Sequence, residues 1–405
     1  MGKPRFSIRE TNRLVFQTFV DCNMAEAWVG DQLRIFPGKT GEDPVWGDAR
    51  DLRHASGRTV GEAMTQPEQA FTSAILPPNA PPGEPGLHGA FWFESLYQTA
   101  AGTLYALYHN ENYPATLPWD EATGTGYRTQ DWPHGLRGES SVQAVCRIGI
   151  MRSDDGGLSW TDRGILLEDL DDRLIRAPIN RNWTFPGGVG DPSAVACGDH
   201  LYVFFGEYGY PGPYDPATHS PDVESAGQCI SVARVALADL DAPQERAFRW
   251  GGSAFDAPWN GVGQPIAALR IPAADGGGPV SSGQHSFHWG PSVSWNEAIR
   301  CWVMVMGRVD SEFWAGDSIW ISFNPHADLG VGANCQDWSA PRLLLRKPGH
   351  TLWYPSLQPP DDPDSVAARH TCVRMGKRAR LWVKDLAPSV HRYVSEYELT
   401  FHLEE

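Results

Sequence analysis

Residues 191–212 read DPSAVACGDHLYVFFGEYGYPG and contain two short apolar runs on either side of the turn CGDH (197–200). Two such runs joined by a tight turn predict a β-hairpin. Four other stretches repeat this arrangement, at residues 25–44, 90–114, 290–310 and 354–376, and the last of these is the least regular. Three of the hairpins begin with Pro-Ser, at residues 192–193, 291–292 and 355–356. A unit repeated along the chain indicates a radial or stacked architecture.

Two further strand-like runs follow most of the hairpins, for example at residues 144–153 and 159–168. Two inner and two outer antiparallel strands make one propeller blade. We therefore predict an all-β fold, a five-bladed β-propeller with four antiparallel strands per blade. The predicted single domain covers residues 1–405, with blades near residues 14–80, 88–168, 185–250, 285–345 and 350–403. The run RLVFQTFV (13–20) is expected to pair with RYVSEYELTFHL (392–403), so that terminal strands close the ring and protect its edges.

Composition supports this fold class and excludes several partners. The 42 glycines, 33 prolines and 17 tryptophans argue for many short strands and against a helix bundle or a disordered chain. A net charge of −16 without long charged blocks argues against a nucleic-acid partner. No leader and no membrane-spanning apolar run is evident, and the seven cysteines contain no CxxC pair. We expect a soluble, cytoplasmic protein with free thiols, of open oligomeric state.

The run SDDGGLSW (153–160) matches the S-x-D-x-G-x-x-W turn called the Asp-box at every specified position. Asp155 is expected to accept hydrogen bonds from turn amides, Gly157 to adopt positive φ, and Trp160 to pack beneath the turn. The run resembles the Asp-boxes of sialidases and related propellers, in which this turn lies on the face opposite the functional site.

Candidate site residues lie where first strands begin and second strands end, because both points face the central funnel of a propeller. The acidic candidates for catalysis are Asp21, Glu94, Glu111, Asp191 and Glu207. His109 is a further catalytic candidate, and Tyr208 lies at the same opening. The candidates for substrate binding are His88, His288, Trp289, Arg308 and Tyr354. The loops add six tryptophans that could stack on sugar rings, at positions 46, 119, 132, 183, 259 and 314. Together these residue types predict a carbohydrate-binding funnel.

The segment GGVGDPSAVACGDHLYVFFG (187–206) resembles blade openings of five-bladed-propeller glycosidases, the group of arabinanases, β-xylosidases and invertases. The resemblance implies a glycoside hydrolase that cleaves a small oligosaccharide or a terminal sugar with one carboxylate from each of three blades. Asp191 matches the Asp-Pro motif, although that group usually carries the motif in its first or second blade. Asp191 or Glu94 would be the pKa-tuning acid, Asp21 the base, and Glu207 or Glu111 the general acid.

Two other functions stay open. His88 and His109, 21 residues apart, resemble the paired histidines of propeller-type polysaccharide lyases, which eliminate at uronic-acid glycosides and have seven blades. Arg308 or Arg147 would then neutralise the uronate. The third function is a carbohydrate-binding propeller without catalysis. No cofactor is required by any of these functions, and the glycosidase resemblance admits a structural calcium ion on the propeller axis, with His285 or His288 as its ligand.

Overall fold

A computed structural model describes most of the strand regions of the chain. It describes residues 2–15, 21–36, 53–64, 72–73, 75–77, 87, 90–112, 145–169, 188–208, 228–272, 286–310, 314–359, 374–386 and 392–404. Its strands form five antiparallel sheets with their first strands innermost, which confirms the five-bladed β-propeller. Each sheet has four or five strands.

The N-terminal strand β1 (Lys3–Val15) belongs to the last sheet of the ring. The first sheet contains β2 (Ala25–Val29), β3 (Gln32–Phe36), β4 (Arg53–Gly57) and β5 (Thr72–Ser73), with helix α1 (Val60–Met64) between its last two strands. The second sheet contains β6 (Ala90–Gln98), β7 (Leu104–Asn112), β8 (Val145–Ser153) and β9 (Thr161–Leu167).

The third sheet contains β10 (Val189–Cys197), β11 (His200–Glu207), β12 (Cys229–Ala236), β13 (Phe248–Trp250) and β14 (Phe255–Pro258). The fourth sheet contains β15 (Phe287–Asn296), β16 (Cys301–Val309), β17 (Ser318–Asn324) and β18 (Arg342–Arg346). Short 3-10 helices connect these strands at Leu237–Asp239, Ala267–Leu269 and Asn334–Gln336.

The fifth sheet closes the ring. It contains β19 (Thr351–Gln358), β21 (Arg378–Leu386) and β22 (Arg392–Glu404), and β1 pairs with β22 as the outermost strand. The two-residue strand β20 (Arg374–Met375) instead pairs in parallel with β15 of the fourth sheet. Closure by terminal strands was predicted correctly, since the N-terminal strand completes the last sheet of the ring.

Two predicted strand positions in this sheet were wrong. The N-terminal strand begins at Lys3 rather than at residue 13, because Phe6 and Ile8 alternate with charged residues and pack against the core. Residues 16–20 of the predicted run lie outside the described residues. The predicted hairpin at 354–376 is formed instead by β19 and β21, because alternate apolar side chains of β21, such as Leu381 and Val383, are fully buried.

Buried apolar side chains fill the spaces between neighbouring blades. One cluster joins the third and fourth sheets through Phe204 and Met304, and another joins the fourth and fifth sheets through Val303 and Leu381. Each fully buried side chain of this size contributes about 1.5–3 kcal/mol relative to exposure. The six described cysteines are free thiols, as predicted, and Cys372 lies outside the described residues. Within the described part of the chain, no helix is long and apolar enough to cross a membrane.

The turn at residues 153–160 has the hydrogen bonds expected from its sequence. Asp155 Oδ1 accepts the backbone N–H groups of Leu158 (3.0 Å) and Ser159 (2.9 Å), and Gly157 has φ +92°. Burial would raise the pKa of Asp155, but hydrogen bonds, those from Ser159 foremost, lower it to about 2. Trp160 is buried under the turn. Because Ser153 pairs with the first residue of β7, the turn lies at the end of the sheet opposite Glu111.

Serine hydroxyls connect the innermost strands of successive blades. Each accepts a hydrogen bond from a backbone N–H of the next blade, and three of these serines belong to the Pro-Ser pairs. The bonds are Ala194 N to Ser95 (3.0 Å), Val293 N to Ser193 (2.9 Å), Leu357 N to Ser292 (3.1 Å) and Met24 N to Ser356 (2.9 Å). Each contributes about 1 kcal/mol. They hold the first strands at a common height around the axis.

Candidate functional site

Four of the five innermost strands carry a bulge at the same height, directly before the connecting serine. The register shifts lie between Phe93 and Ser95, Gly190 and Ser193, Trp289 and Ser292, and Trp353 and Ser356. A bulge turns a side chain away from the regular alternation of a strand. In β6, Glu94 stands directly before the serine, where the other three bulges have a proline. The residues before those prolines are Asp191, Gly290 and Tyr354. These three have φ values of +49°, +55° and +48°.

These bulges form the floor of a pocket at one end of the axis, with an empty volume of about 540 Å³. Its described lining consists of four carboxylates, one histidine and five aromatic rings. They are Asp21, Trp92, Glu94, His109, Glu111, Asp191, Trp289, Trp314, Trp353 and Tyr354. The size suits one or two sugar rings, and acids with aromatic walls are the residue types that such a ligand requires.

Asp191 is held by groups from two sides. The Tyr208 hydroxyl donates a short hydrogen bond to its Oδ2, and the Asp191 backbone N–H donates to His109 Nδ1 at 3.1 Å. Asp191 Oδ1 lies 3.4 Å from the same ring nitrogen. Close approach is possible because residue 190 is glycine, where an added Cβ would lie 2.4 Å from His109 Nδ1. Asp191 is only 2% exposed, so its charge acts in a site of low dielectric constant.

His109 lies between Asp191 and Glu111 and is buried. Burial lowers its pKa, but the hydrogen bond and charge of Asp191, with the charge of Glu111, raise it overall. In the neutral ring Nδ1 accepts the Asp191 N–H, so Nε2 carries the proton. When the ring is protonated, Nδ1 can instead donate to Asp191 Oδ1. His109 therefore exchanges a proton without leaving Asp191.

Glu94 is the buried carboxyl beside Asp191, and it is 4% exposed. Burial raises its pKa well above the ordinary value of 4.5, and the charge of Asp191 adds to this effect. The Asn23 N–H, which donates to Glu94 Oε2 at 2.6 Å, and the charge of Lys384 oppose it. One Glu94 oxygen thus accepts a hydrogen bond, and the raised pKa favours a proton on the other.

Asp21 is the more exposed pocket carboxylate, with 27% of its side chain accessible. Lys384 Nζ donates a hydrogen bond to it from a buried position on β21. The same ammonium lies 4.8 Å from the Trp353 ring centroid and 5.4 Å from that of Tyr354. These cation–π contacts stabilise a buried lysine and fix Asp21 at the pocket wall.

Glu94, His109 and Asp191 offer ligand atoms that lie within 4.8 Å of one another. A cation bound there would displace any proton that Glu94 carries, because metal ligands bind in their deprotonated form.

Three predicted site residues lie elsewhere. Glu207 accepts hydrogen bonds from Arg249 (2.8 Å) and Ser231, because strand alternation turns it between sheets and away from the pocket. His288 is buried with Nδ1 2.7 Å from the Leu269 carbonyl oxygen, and burial lowers its pKa to about 4. This position lies between the third and fourth sheets, so His288 is not an axial ligand.

Arg308 pairs with Asp310 at 2.6 Å and covers the Trp320 ring, and it does not line the pocket. Of the loop tryptophans, Trp314 lines the pocket, whereas Trp259 packs between the second and third sheets. Several predicted positions lie outside the described residues, namely His88, His285 and tryptophans 46, 119, 132 and 183. Trp92, Asn23 and Lys384 were missed by sequence reasoning. A lysine within the apolar run LWVKDL (381–386) was the one available signal.

Known proteins were compared with the chain in three ways. No protein-family model and no curated protein matches it. The structure resembles an α-L-arabinofuranosidase from Lactobacillus brevis, with TM-score 0.49, 12% identity and coverage of 95% of this chain and 91% of that one. It also resembles a GH43_1 enzyme from Xanthomonas citri, with TM-score 0.47, 11% identity and coverage of 96% and 89%. A Cellvibrio cellulosa α-L-arabinanase gives TM-score 0.43, 12% identity and coverage of 95% and 91%. These likenesses are too distant to transfer a substrate or a residue role.

Proposed function

We propose that this chain is a glycoside hydrolase that cleaves a terminal sugar or a small oligosaccharide in the axial pocket. The observation that carries the proposal is the buried pair of Glu94 and Asp191, in which burial and the charge of Asp191 raise the pKa of Glu94 well above its ordinary value. Such a pair supplies a proton near neutral pH, which glycosidic bond cleavage requires. The aromatic walls, including Trp289 and Trp353, offer faces on which sugar rings can stack.

Each carboxylate has a separate role in this proposal. Glu94 donates its proton to the glycosidic oxygen as the bond to the anomeric carbon breaks. Asp21 accepts a proton from the water that attacks this carbon, so the products are two free hydroxyl groups and the enzyme is restored by transfer of the proton back to Glu94. Asp191 raises the pKa of Glu94. Glu94 and Asp191 oxygens lie within 4.8 Å, whereas an acid and base flanking a water stand roughly 6.5–9.5 Å apart, which argues against Asp191 as the base.

The lyase function has less support from the described residues. It needs His88, which lies outside them, and an arginine to neutralise a uronate. Arg308 pairs with Asp310, and Arg147 donates to Asn110 at 2.9 Å, so both are engaged outside the pocket lining.

The test is turnover of neutral and uronate glycosides, followed by both reducing ends and ultraviolet absorbance. We expect reducing ends without a new chromophore. Glu94→Gln should lower kcat/KM about 100-fold or more on poor leaving groups and much less on dinitrophenyl glycosides, which leave without protonation. Asp21→Asn should lower kcat/KM equally on both classes of glycoside. The control variant Glu398→Gln should change kcat/KM on neither class.

Three outcomes contradict the proposal. Ultraviolet absorbance would indicate elimination. A loss in Glu94→Gln that is independent of the leaving group would exclude its role as acid. Heat stabilisation by sugars without turnover would indicate a binding propeller.

A further inference from the structure

Tyr208 follows β11 and lies under the pocket without lining it. Its hydroxyl donates to Asp191 Oδ2, and its ring packs edge-on against Trp314 with centroids 5.6 Å apart. Its backbone N–H donates to the Gly188 carbonyl oxygen at 2.9 Å. A Cβ added at Gly190 would lie 2.8 Å from the Tyr208 hydroxyl, so this close approach to β10 requires glycine at that position.

Asp191 adopts a backbone conformation that needs external support. Its φ of +49° is unfavourable for a residue with a side chain, and the following Pro192 restricts it further. Such a conformation costs about 1–3 kcal/mol and persists only where the surroundings determine it. Here the His109 ring accepts the Asp191 N–H, and the Tyr208 hydroxyl binds the carboxylate. The two contacts fix both ends of one residue.

We propose that Tyr208 is a positioning residue, whose hydroxyl holds the Asp191 carboxylate in place beside Glu94. The buried hydrogen bond and the glycine at 190 carry this inference. A phenol that donates to a carboxylate stabilises the ionised form, because only that form has both oxygens free to accept. The consequence for kcat rests on the proposed hydrolase function, whereas the consequence for the protonation of Glu94 does not.

Other charged groups lie around the pair of Glu94 and Asp191. Asp21 adds negative charge, which also favours protonation of Glu94, whereas Lys384 opposes it. His109 opposes it only when protonated. The Tyr208 hydroxyl donates to Asp191 Oδ2, so its removal breaks this hydrogen bond while leaving these groups in place.

The remaining titratable neighbours stay neutral near pH 7. Burial raises the pKa of the Cys22 and Cys146 thiols well above their usual value. Burial likewise raises the pKa of Tyr354, with the charge of Asp21 adding to it. These groups do not titrate in the range of the test.

The test compares Tyr208→Phe with the wild-type protein by infrared titration of the Glu94 carboxyl, whose protonated band is identified by its loss in Glu94→Gln. We expect the Glu94 band to titrate about one pH unit lower in Tyr208→Phe, because the Asp191 carboxylate is then no longer held beside it. In the active enzyme, the basic limb of the pH profile of kcat/KM should move to lower pH by the same amount. The effect on kcat should be larger than the effect on KM. The matched control is Tyr108→Phe, which removes the 3.0 Å hydrogen bond from another buried tyrosine to an aspartate, the partly buried Asp162 of β9.

The outcomes separate this inference from the hydrolase proposal. An unchanged Glu94 titration in folded Tyr208→Phe would overturn the inference, whatever the activity. A shifted titration in a protein that hydrolyses no glycoside would support the inference and contradict the hydrolase function. Equal shifts of the Glu94 titration in Tyr208→Phe and Tyr108→Phe would also overturn it. So would a shift in the double variant of Tyr208→Phe and Asp191→Asn that equals the sum of the two single shifts. If Tyr208→Phe does not fold, 3,5-difluorotyrosine can be placed at position 208. Because it is a stronger donor, it should raise the pH at which Glu94 titrates, and a lower titration pH would overturn the inference.

Discussion

Replacement of Glu94 by glutamine is expected to stabilise the protein at neutral pH and to do so increasingly as the pH rises. Burial and Asp191 raise the pKa of folded Glu94 well above 4.5, so above that pH the protein must take up a proton on folding. A carboxyl of this kind contributes stability below its unfolded pKa, and the contribution is lost as pH rises toward the folded pKa. Glutamine avoids this loss and can still accept the Asn23 N–H.

The magnitude follows from the ordinary pKa alone. Each pH unit above 4.5 at which folded Glu94 stays protonated costs about 1.4 kcal/mol. At pH 7 the cost is therefore at most about 3 kcal/mol, and at pH 5 it is under about 1 kcal/mol. This difference is a large part of a typical unfolding free energy of about 5–15 kcal/mol.

Denaturant unfolding of both proteins at pH 5, 6 and 7 would measure the difference. We expect the advantage of Glu94→Gln to grow by up to about 3 kcal/mol over this range. Glu398→Gln, which replaces a partly exposed carboxylate of β22, is the control and should show a much smaller change with pH. A constant difference for Glu94→Gln would mean that folded Glu94 is already ionised at pH 5, and it would refute both the protonated pair and the role of Glu94 as acid.

Three further variants test other parts of the structure. Gly190→Ala should cost about 1–3 kcal/mol in thermal unfolding and abolish turnover, because the new Cβ would lie 2.4 Å from His109 Nδ1; unchanged stability would contradict the close packing. Arg249→Met should cost about 3–5 kcal/mol in denaturant unfolding at pH 7, because it leaves the buried Glu207 carboxylate without its 2.8 Å partner; a smaller loss than in an exposed control, Arg374→Met, would contradict this. Trp289→Ala should raise KM roughly tenfold with a smaller change in kcat, since the ring forms a pocket wall; an effect on kcat alone would show that it does not contact the sugar.

The sequence allowed the blades to be predicted because each inner hairpin has strand-like apolar runs and a clear turn. Most pocket residues could be placed for the same reason: Asp191 lies near the start of β10, and His109 and Glu111 lie toward the end of β7, although Glu94 lies in the middle of β6. Glu207 also ends an inner strand, yet it points between sheets to Arg249. Strand ends locate a residue near the opening, but the parity of the strand decides whether its side chain enters it.

Partners that are distant in sequence could not be predicted. Lys384 binds Asp21 across 363 residues, and the N–H of Asn23 reaches Glu94 across 71 residues. No local pattern encodes such pairs, because closure of the ring brings them together. The raised pKa of Glu94 depends on burial and on Asp191 from another blade, so the sequence could suggest a carboxylate set without dividing its roles.

The three Pro-Ser pairs explain how a ring of similar blades builds an asymmetric site. In each, the serine is tied to its neighbouring blades and the bulge holds the preceding residue at positive φ, so the backbone is nearly the same three times. Only the side chain before the proline differs: Asp191 brings a charge, Tyr354 an aromatic ring, and Gly290 brings no side chain. Glycine alone suits this φ without strain, so aspartate and tyrosine are retained at an energetic cost of about 1–3 kcal/mol each. Residues kept against local preference are best explained by what they contribute to the pocket, and both of them line it.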